Sequence, residues 1–407
     1  MKKINGGVTA AKGFMAASCA AEIKYKNRQD MAMVYSEKPC VCAGTFTSNV
    51  VKAACVKWDQ MVVEADKGMQ AVVINSGIAN ACTGQAGFDA CRKTAEAVEK
   101  YLNVDEETVG VASTGVIGMH LPVEKLVAGV EKMSANLGGD IEAGTAASKA
   151  IMTTDTVNKE IAVTFEINGK QVTLGGMSKG SGMIHPNMCT MLAFLTTDIS
   201  ITKELLTKAV KEVVKDSFNM ITVDGDTSTN DTLLVMANGL AENEIVEKED
   251  ESYETFKSAL LFVCESLAKT MAADGEGATK LFEAKVVNAK TKDDARTLAR
   301  AIVGSNLSKA AIFGCDANFG RFLCAMGYSG AEFNQEDVVM SFVSSKGKLL
   351  VFDKGVPVMF DEEKATDILS ADEVTVFVDM NEGKEEACAW GCDLTHEYVN
   401  INADYRS

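Results

Sequence analysis

Apolar residues recur along this chain at two periods, and each period marks a kind of element. Ile161, Val163 and Phe165 stand at every second position, Asn168-Gly169 follows, and Val172 and Leu174 resume the alternation. A period of two on both sides of Asn-Gly predicts a β-hairpin. Val72-Val73-Ile74 running into Asn75-Ser76-Gly77, and the alternating Val374, Val376 and Val378, predict further strands. Elsewhere the spacing is helical. Pro122 opens a helix that carries Leu126, Val127, Val130, Met133 and Leu137 on one face. Leu205, Leu206, Ala209, Val210, Val213 and Val214 line a second helix. A third runs from about Tyr253 to Met271 and stops at Asp274-Gly275, and a fourth covers Asp293 to Val303. Strands and helices in alternation predict an α/β (α+β) protein of layered sheets with flanking helices. No internal repeat or low-complexity linker divides it, and the charged stretch 242–254 reads as a solvated loop or helix start.

At 407 residues the chain is long enough for two or three packed units. Lys plus Arg number 40 and Asp plus Glu 57, a net charge of −17, which argues against a phosphate-backbone partner. A hydrophobic share of 47% with 24% charge is that of a folded protein and not a disordered one. The twelve cysteines are scattered and form no Cys-x-x-Cys pair. Neither Cys40 and Cys42 nor Cys388 and Cys392 have histidine at zinc-ligand spacing. They read as reduced thiols packed as small hydrophobes, which implies a cytoplasmic protein. Lys2 and Lys3 precede an Ala-rich stretch, but Lys12 interrupts it, so it is not read as a signal peptide. No apolar run is long enough to cross a bilayer, and no membrane partner is expected.

Chemistry concentrates in one stretch, Gly175-Gly176-Met177-Ser178-Lys179-Gly180-Ser181-Gly182, which continues through His185 to Cys189-Thr190 and an apolar, strand-like segment. Four glycines in eight residues demand a loop with close backbone approach, and one lysine stands inside it. The spacing is not that of a phosphate loop, and Gly180-Ser181-Gly182 lacks the hydrolase elbow pattern. On composition alone the stretch is a glycine-rich turn before a buried strand. Asp224, Asp226 and Asp231 suggest a cation site, but the glycine and glutamate of an EF-hand loop are missing, and no metal is expected. His185 lies five positions before Thr190; with three histidines in the chain, no Ser–His–Asp arrangement is indicated.

The run from Lys179-Gly-Ser-Gly-Met183 through Asn187-Met-Cys-Thr190-Met-Leu192 resembles the self-cleaving signature of the ornithine acetyltransferase family, the bifunctional glutamate N-acetyltransferase/amino-acid acetyltransferase enzymes. The resemblance extends over nearly the whole chain. It takes in Gly6-Gly7-Val8-Thr9-Ala10, Ala112-Ser113-Thr114-Gly115-Val116-Ile117-Gly118 and Met152-Thr153-Thr154-Asp155-Thr156. It continues with Val223-Asp-Gly-Asp-Thr-Ser-Thr-Asn-Asp231, Asp274-Gly-Glu276-Gly-Ala-Thr-Lys280, Asp316-Ala-Asn-Phe-Gly-Arg321 and the tail from Tyr398 to Ser407.

That resemblance implies a fold like the self-processing ornithine acetyltransferase/aminopeptidase-like proteins. It implies cleavage between Cys189 and Thr190 into an alpha chain, 1–189, and a beta chain, 190–407, with two of each in a heterotetramer. Thr190 becomes the nucleophile, its new α-amine serving as base. Thr114 and Gly115 are implied as the oxyanion hole, and Thr153, Lys179, Thr190, Glu276, Asn402 and Ser407 as substrate-binding positions. Relatives commonly carry Ala or Gly where Cys189 stands, and often end in Thr where Ser407 stands. The implied activity is ping-pong transfer of acetyl from N2-acetylornithine to glutamate in arginine biosynthesis. No cofactor is implied, and whether acetyl-CoA also serves as a donor substrate is left open. Two rivals remain at this point: a self-processing aminopeptidase or amidase in which water takes the acyl group, and a non-catalytic binding protein of the same fold.

Overall fold

The structure is a computed structural model that describes residues 1–185 and 191–404. The Asn-Gly signal is met in full. Lys159–Ile167 and Lys170–Lys179 pair antiparallel with Ile167 opposite Lys170, so Asn168 and Gly169 alone make the turn. Both have left-handed backbone, φ 50° and 76°, the combination that matches the twist of a two-residue hairpin.

The hairpin belongs to a nine-stranded sheet. Its order is Lys2–Ile4, Lys159–Ile167, Lys170–Lys179, Leu192–Thr197, Thr232–Ala237, Met31–Phe46, Met69–Ile78 and Val109–Val116, with Phe14–Cys19 paired to Met31–Phe46 off that path. A seven-stranded sheet, built entirely from residues 221–392, holds the expected strand Glu373–Asp379 between Val339–Ser344 and Leu281–Ala289. The described segments on the two sides of residues 186–190 do not divide the first sheet into halves. Leu192–Thr197 and Thr232–Ala237 lie side by side, parallel, and are flanked by Lys170–Lys179 and Met31–Phe46 from earlier in the chain.

These inner strands are buried on both faces, and successive side chains go to different cores. Leu192 and Phe194 pack into a core with helices Ala54–Ala65, Gly84–Leu102, Val123–Ser134 and Ile141–Ala150. Ala193 and Leu195 pack into the other core, shared with helices Lys203–Val213 and Glu251–Ala273 and with the second sheet. The long helix Glu251–Ala273 starts two residues before the expected Tyr253. The Asp250 carboxylate accepts from the Ser252 and Tyr253 N–H groups and caps it. It ends at Asp274, as expected. Lys292–Gly304 brackets the fourth expected helix. One expectation needs correction: Leu137 lies beyond its helix, which ends at Ser134, because Gly138 leaves to pair with Ala16. The charged stretch 242–254 is a loop up to the Asp250 cap.

Every cysteine among the described residues is a free thiol. Burial pushes Cys40 and Cys55 up to about 12, which keeps them protonated and inert. No helix among the described residues is long and apolar enough to cross a membrane.

Candidate active site

The strand Lys170–Lys179 ends by delivering Lys179 into a cleft where residues distant in sequence converge. Thr114, Gly115, Thr153, Lys179, Glu276 and Asn402 all line it. The cleft holds about 780 Å³ of empty space, open solvent at its mouth included, within the range of small-molecule sites. Ile184 and Met191, close to the two ends of residues 186–190, are also in its wall. Cys189, Thr190 and Ser407 lie outside the described residues.

Lys179 is nine-tenths buried, and its ammonium is engaged by hydroxyls and a carboxylate. Nζ donates to Thr153 Oγ1 at 2.7 Å and reaches Thr114 Oγ1 at 3.5 Å. Behind it Asp155 Oδ2 lies at 3.7 Å. Asp155 is fully buried and heavily donated to: Lys159 Nζ at 2.8 Å, the Gly180 N–H at 2.7 Å and the Thr153 N–H at 3.0 Å. Burial alone would raise its pKa, but the Lys179 and Lys159 ammoniums and these donors outweigh it. They hold the carboxyl well below the usual carboxylate range. Lys159, also fully buried, reaches on to Asp274 Oδ2 at 2.6 Å, and Asp274 accepts from the Thr156 N–H at 3.1 Å. Two lysines and two aspartates thus neutralise one another behind the cleft wall, the only arrangement in which such burial is tolerated.

Opposite, the strand Val109–Val116 carries Thr114 and Gly115 in parallel register with Ser76 and Gly77. Gly115 has φ 131°, and a Cβ there would meet the Gly77 carbonyl carbon at 2.2 Å, so no other residue fits. The strand is held from across the cleft: Asn230 Nδ2 donates to the Ser113 carbonyl at 2.8 Å.

The third wall comes from the turn after Glu251–Ala273 and from the helix His396–Asp404. Glu276 N–H donates to the Ser181 carbonyl at 2.8 Å, and Asn402 Nδ2 donates to Glu276 Oε2 at 2.8 Å and to the Tyr398 carbonyl at 3.0 Å. A Cβ at Gly182 would fall 2.3 Å from Glu276 Oε2, so the glycine loop lets this carboxylate into the site.

Sequence reasoning missed part of this wall. Ser228, Thr229, Asn230 and Asp231 line the cleft. Asp231 is buried, its Oδ2 has no hydrogen-bond partner among the described residues, and burial pushes its carboxyl well above the usual range. It stands one residue before Thr232, which pairs with Leu192. The signal lay in the run Val223–Asp231, whose acidic residues were weighed only for a cation. Asp155 and Asp274 stood in quoted motifs without a role, and Lys159 gave no signal beyond a charge at the start of an alternating strand. Asp224 is engaged by backbone N–H groups of Met183 and Ile184, and among the described residues no cluster of His, Cys, Asp and Glu could hold a metal ion. His185 sets its Nδ1 3.0 Å from Thr222 Oγ1. Burial, and then the Arg300 charge, lower its pKa, so at neutral pH it is an uncharged ring.

The arrangement offers a buried cation with hydroxyls beside it, a glycine-hydroxyl corner for an oxyanion, and a carboxylate–amide pair. It suits acyl transfer between small amino-acid substrates. Residues 15–407 match the ArgJ family. The chain is 50% identical over 403 residues to the arginine biosynthesis bifunctional protein ArgJ 1 of Clostridium acetobutylicum, covering 99% of this chain and 98% of that one. It is 46% identical over 407 residues to the arginine biosynthesis bifunctional protein ArgJ of Bacillus subtilis, covering 100% and 98%. Among solved structures, ornithine acetyltransferase of Mycobacterium tuberculosis complexed with ornithine is 44% identical, with a TM-score of 0.42, covering 46% of this chain and 96% of that chain.

Proposed function

This chain belongs to the ArgJ family, and from that premise we propose how the residues of the cleft carry out its chemistry. The protein is an enzyme of arginine biosynthesis, a glutamate N-acetyltransferase that also has amino-acid N-acetyltransferase activity. The observation that supports the reading of the site is the convergence of Thr114, Gly115, Thr153, Lys179, Glu276 and Asn402 on one cleft bounded by Ile184 and Met191.

The first step is self-cleavage. The Thr190 hydroxyl oxygen attacks the Cys189 carbonyl carbon. The C–N bond breaks, a C–O ester forms, and the hydroxyl proton passes to the departing nitrogen. Water then hydrolyses the ester, leaving a Cys189 carboxylate and a Thr190 that bears both a hydroxyl and a free α-amine. An α-amine titrates near pH 8, close enough to neutrality to act as base for its own hydroxyl.

Acetyl transfer follows the same path. Thr190 attacks the acetyl carbon of N2-acetylornithine, and the oxyanion is held by the Thr114 hydroxyl and the Gly115 N–H. The α-amine takes the hydroxyl proton and delivers it to the departing ornithine nitrogen. Glutamate enters the vacated place, its amine attacks the acetyl ester, and N-acetylglutamate leaves with Thr190 restored. Lys179, with Thr153, Asn402 and Ser407, receives the α-carboxylate common to both substrates, and Glu276 faces the amine. Lys179 is suited to this because Asp155 fixes it from behind. Acetyl-CoA is the donor for the second activity, entering as a substrate. The two products of cleavage are proposed to assemble as two alpha and two beta chains.

Steady-state rates at several fixed glutamate concentrations test the sequence of steps. Ping-pong exchange gives parallel double-reciprocal lines. Intersecting lines would point to a ternary complex and remove the ping-pong route, whereas acetate released without glutamate would favour the hydrolase rival, in which water takes the acyl group.

A further inference from the structure

The run from Val223 to Asp231 holds three carboxylates that the reaction leaves unused, and one of them is placed against the chain near the cleavage region. Asp224 faces the chain shortly before residue 186. Its Oδ2 accepts from the Met183 N–H at 2.6 Å and its Oδ1 from the Ile184 N–H at 2.9 Å. Met183 has φ 54°, a left-handed backbone that residues bearing a side chain adopt uncommonly and at some cost. The neighbouring backbone is gripped from the same side. Val223 N–H and Thr222 Oγ1 donate to the Ile184 carbonyl at 2.7 and 3.1 Å, and Thr227 Oγ1 donates to the His185 carbonyl at 3.0 Å. At the far end of the cleavage region, Thr232 N–H donates to the Met191 carbonyl at 2.9 Å. One strip of chain, 222–232, therefore grips both flanks of the bond that is cut.

We infer that Asp224 is a positioning residue for self-cleavage: it holds the left-handed bend at Met183 through which the chain approaches the bond before Thr190. The inference rests on cleavage at that bond. An intramolecular attack is fast only when nucleophile and carbonyl are confined to a near-attack arrangement, and fixing both ends of a short segment removes the alternatives. Asp224 does not line the cleft, so acetyl transfer, once the chain is cut, does not call on its carboxylate. Burial, and then the Asp224 charge, push the Tyr398 hydroxyl up, and a second variant separates that neighbour from the bend.

The test follows the appearance of the two fragments of the full chain by denaturing gel, together with acetyl transfer per cleaved molecule. Asp224→Ala should slow cleavage about tenfold to a hundredfold. Tyr398→Phe should cleave at the wild-type rate, and transfer per cleaved molecule should match between the two. Adding Met183→Gly to Asp224→Ala should recover part of the cleavage rate, since glycine takes positive φ freely. Asp224→Asn, which turns an amide donor toward one of the two backbone donors, should slow cleavage as well, and it serves if the alanine variant does not fold. Full-rate cleavage in Asp224→Asn or Asp224→Ala, or equal slowing in Tyr398→Phe, overturns the inference. A wild-type chain that stays whole defeats the cleavage reading itself, an outcome distinct from either.

Discussion

Lys179 and Asp155 meet inside the protein, Nζ to Oδ2 at 3.7 Å, with the aspartate side chain wholly removed from solvent. The pair is the inner end of a chain of charges that continues through Lys159 to Asp274. Its members come from both sides of residues 186–190, so the network ties the glycine loop to the end of the long helix while it orients the ammonium in the cleft.

Breaking that network should be costly. Asp155→Ala leaves two buried ammoniums facing one carboxylate and should destabilise the protein by about 3–5 kcal/mol, read as a drop in denaturant midpoint. The pH dependence has a definite sign. Asp155 has a native pKa below its unfolded value, so its contribution is complete above about pH 4 and fades as pH falls below that. Asp155→Asn should flatten this acid limb of the stability profile; an unchanged limb would show that other carboxylates set it.

Cleavage makes a sharp prediction at the level of the polypeptide. The processed enzyme should run as fragments of 189 and 218 residues (407 − 189), the second beginning with Thr190 on N-terminal sequencing. Thr190→Ala should remain a single inactive chain with the wild-type fold by circular dichroism. A second fragment with any other first residue would misplace the nucleophile.

At the oxyanion corner the effect should fall on the chemical step. Thr114→Ala removes one donor and should lower kcat about a hundred- to a thousandfold, with KM for N-acetylornithine nearly unchanged. A raised KM at constant kcat would make Thr114 a binding residue.

Asp231 predicts the opposite pH behaviour from Asp155. Its native pKa is raised, so the folded protein binds a proton that the unfolded chain releases near pH 4. Stability from this group is full below that pH and lost as pH rises toward the native value. Asp231→Asn keeps the shape and should remove that decline, giving a higher unfolding temperature than wild type at pH 7 and no gain at pH 3. Equal gains at both pH values would assign the effect to packing.

The sequence made some of this plain and hid the rest for identifiable reasons. Asn168-Gly169 declared its hairpin because the turn chemistry is local, and Asp274-Gly275 declared the end of the long helix for the same reason. The helix Gly84–Leu102 gave no apolar stripe, because its buried face is Gly87, Ala90, Cys91, Thr94, Ala95, Ala97 and Val98, small residues that pack closely. The strand Met31–Phe46 was masked by the polar run around Pro39, where its register with Met69–Ile78 shifts. In the site, Lys179 and Thr153 were legible through their motifs. Asn230 was not, because its role is to hold the Ser113 carbonyl, 117 positions away, and no local pattern encodes such a contact.

The interleaving of the first sheet sets a direction in time. Leu192–Thr197 and Thr232–Ala237 are hydrogen-bonded on both sides to strands from earlier in the chain, so under the proposed cleavage the sheet would be assembled within one molecule before the cut. While the chain is whole, refolding is a first-order search within one molecule. After the cut the same native contacts require two separate molecules to meet, with the loss of translational and rotational freedom that association entails. On the proposed cleavage, maturation would be a one-way door: the processed enzyme, once unfolded, should recover at a rate that depends on its concentration, whereas the uncut precursor should not.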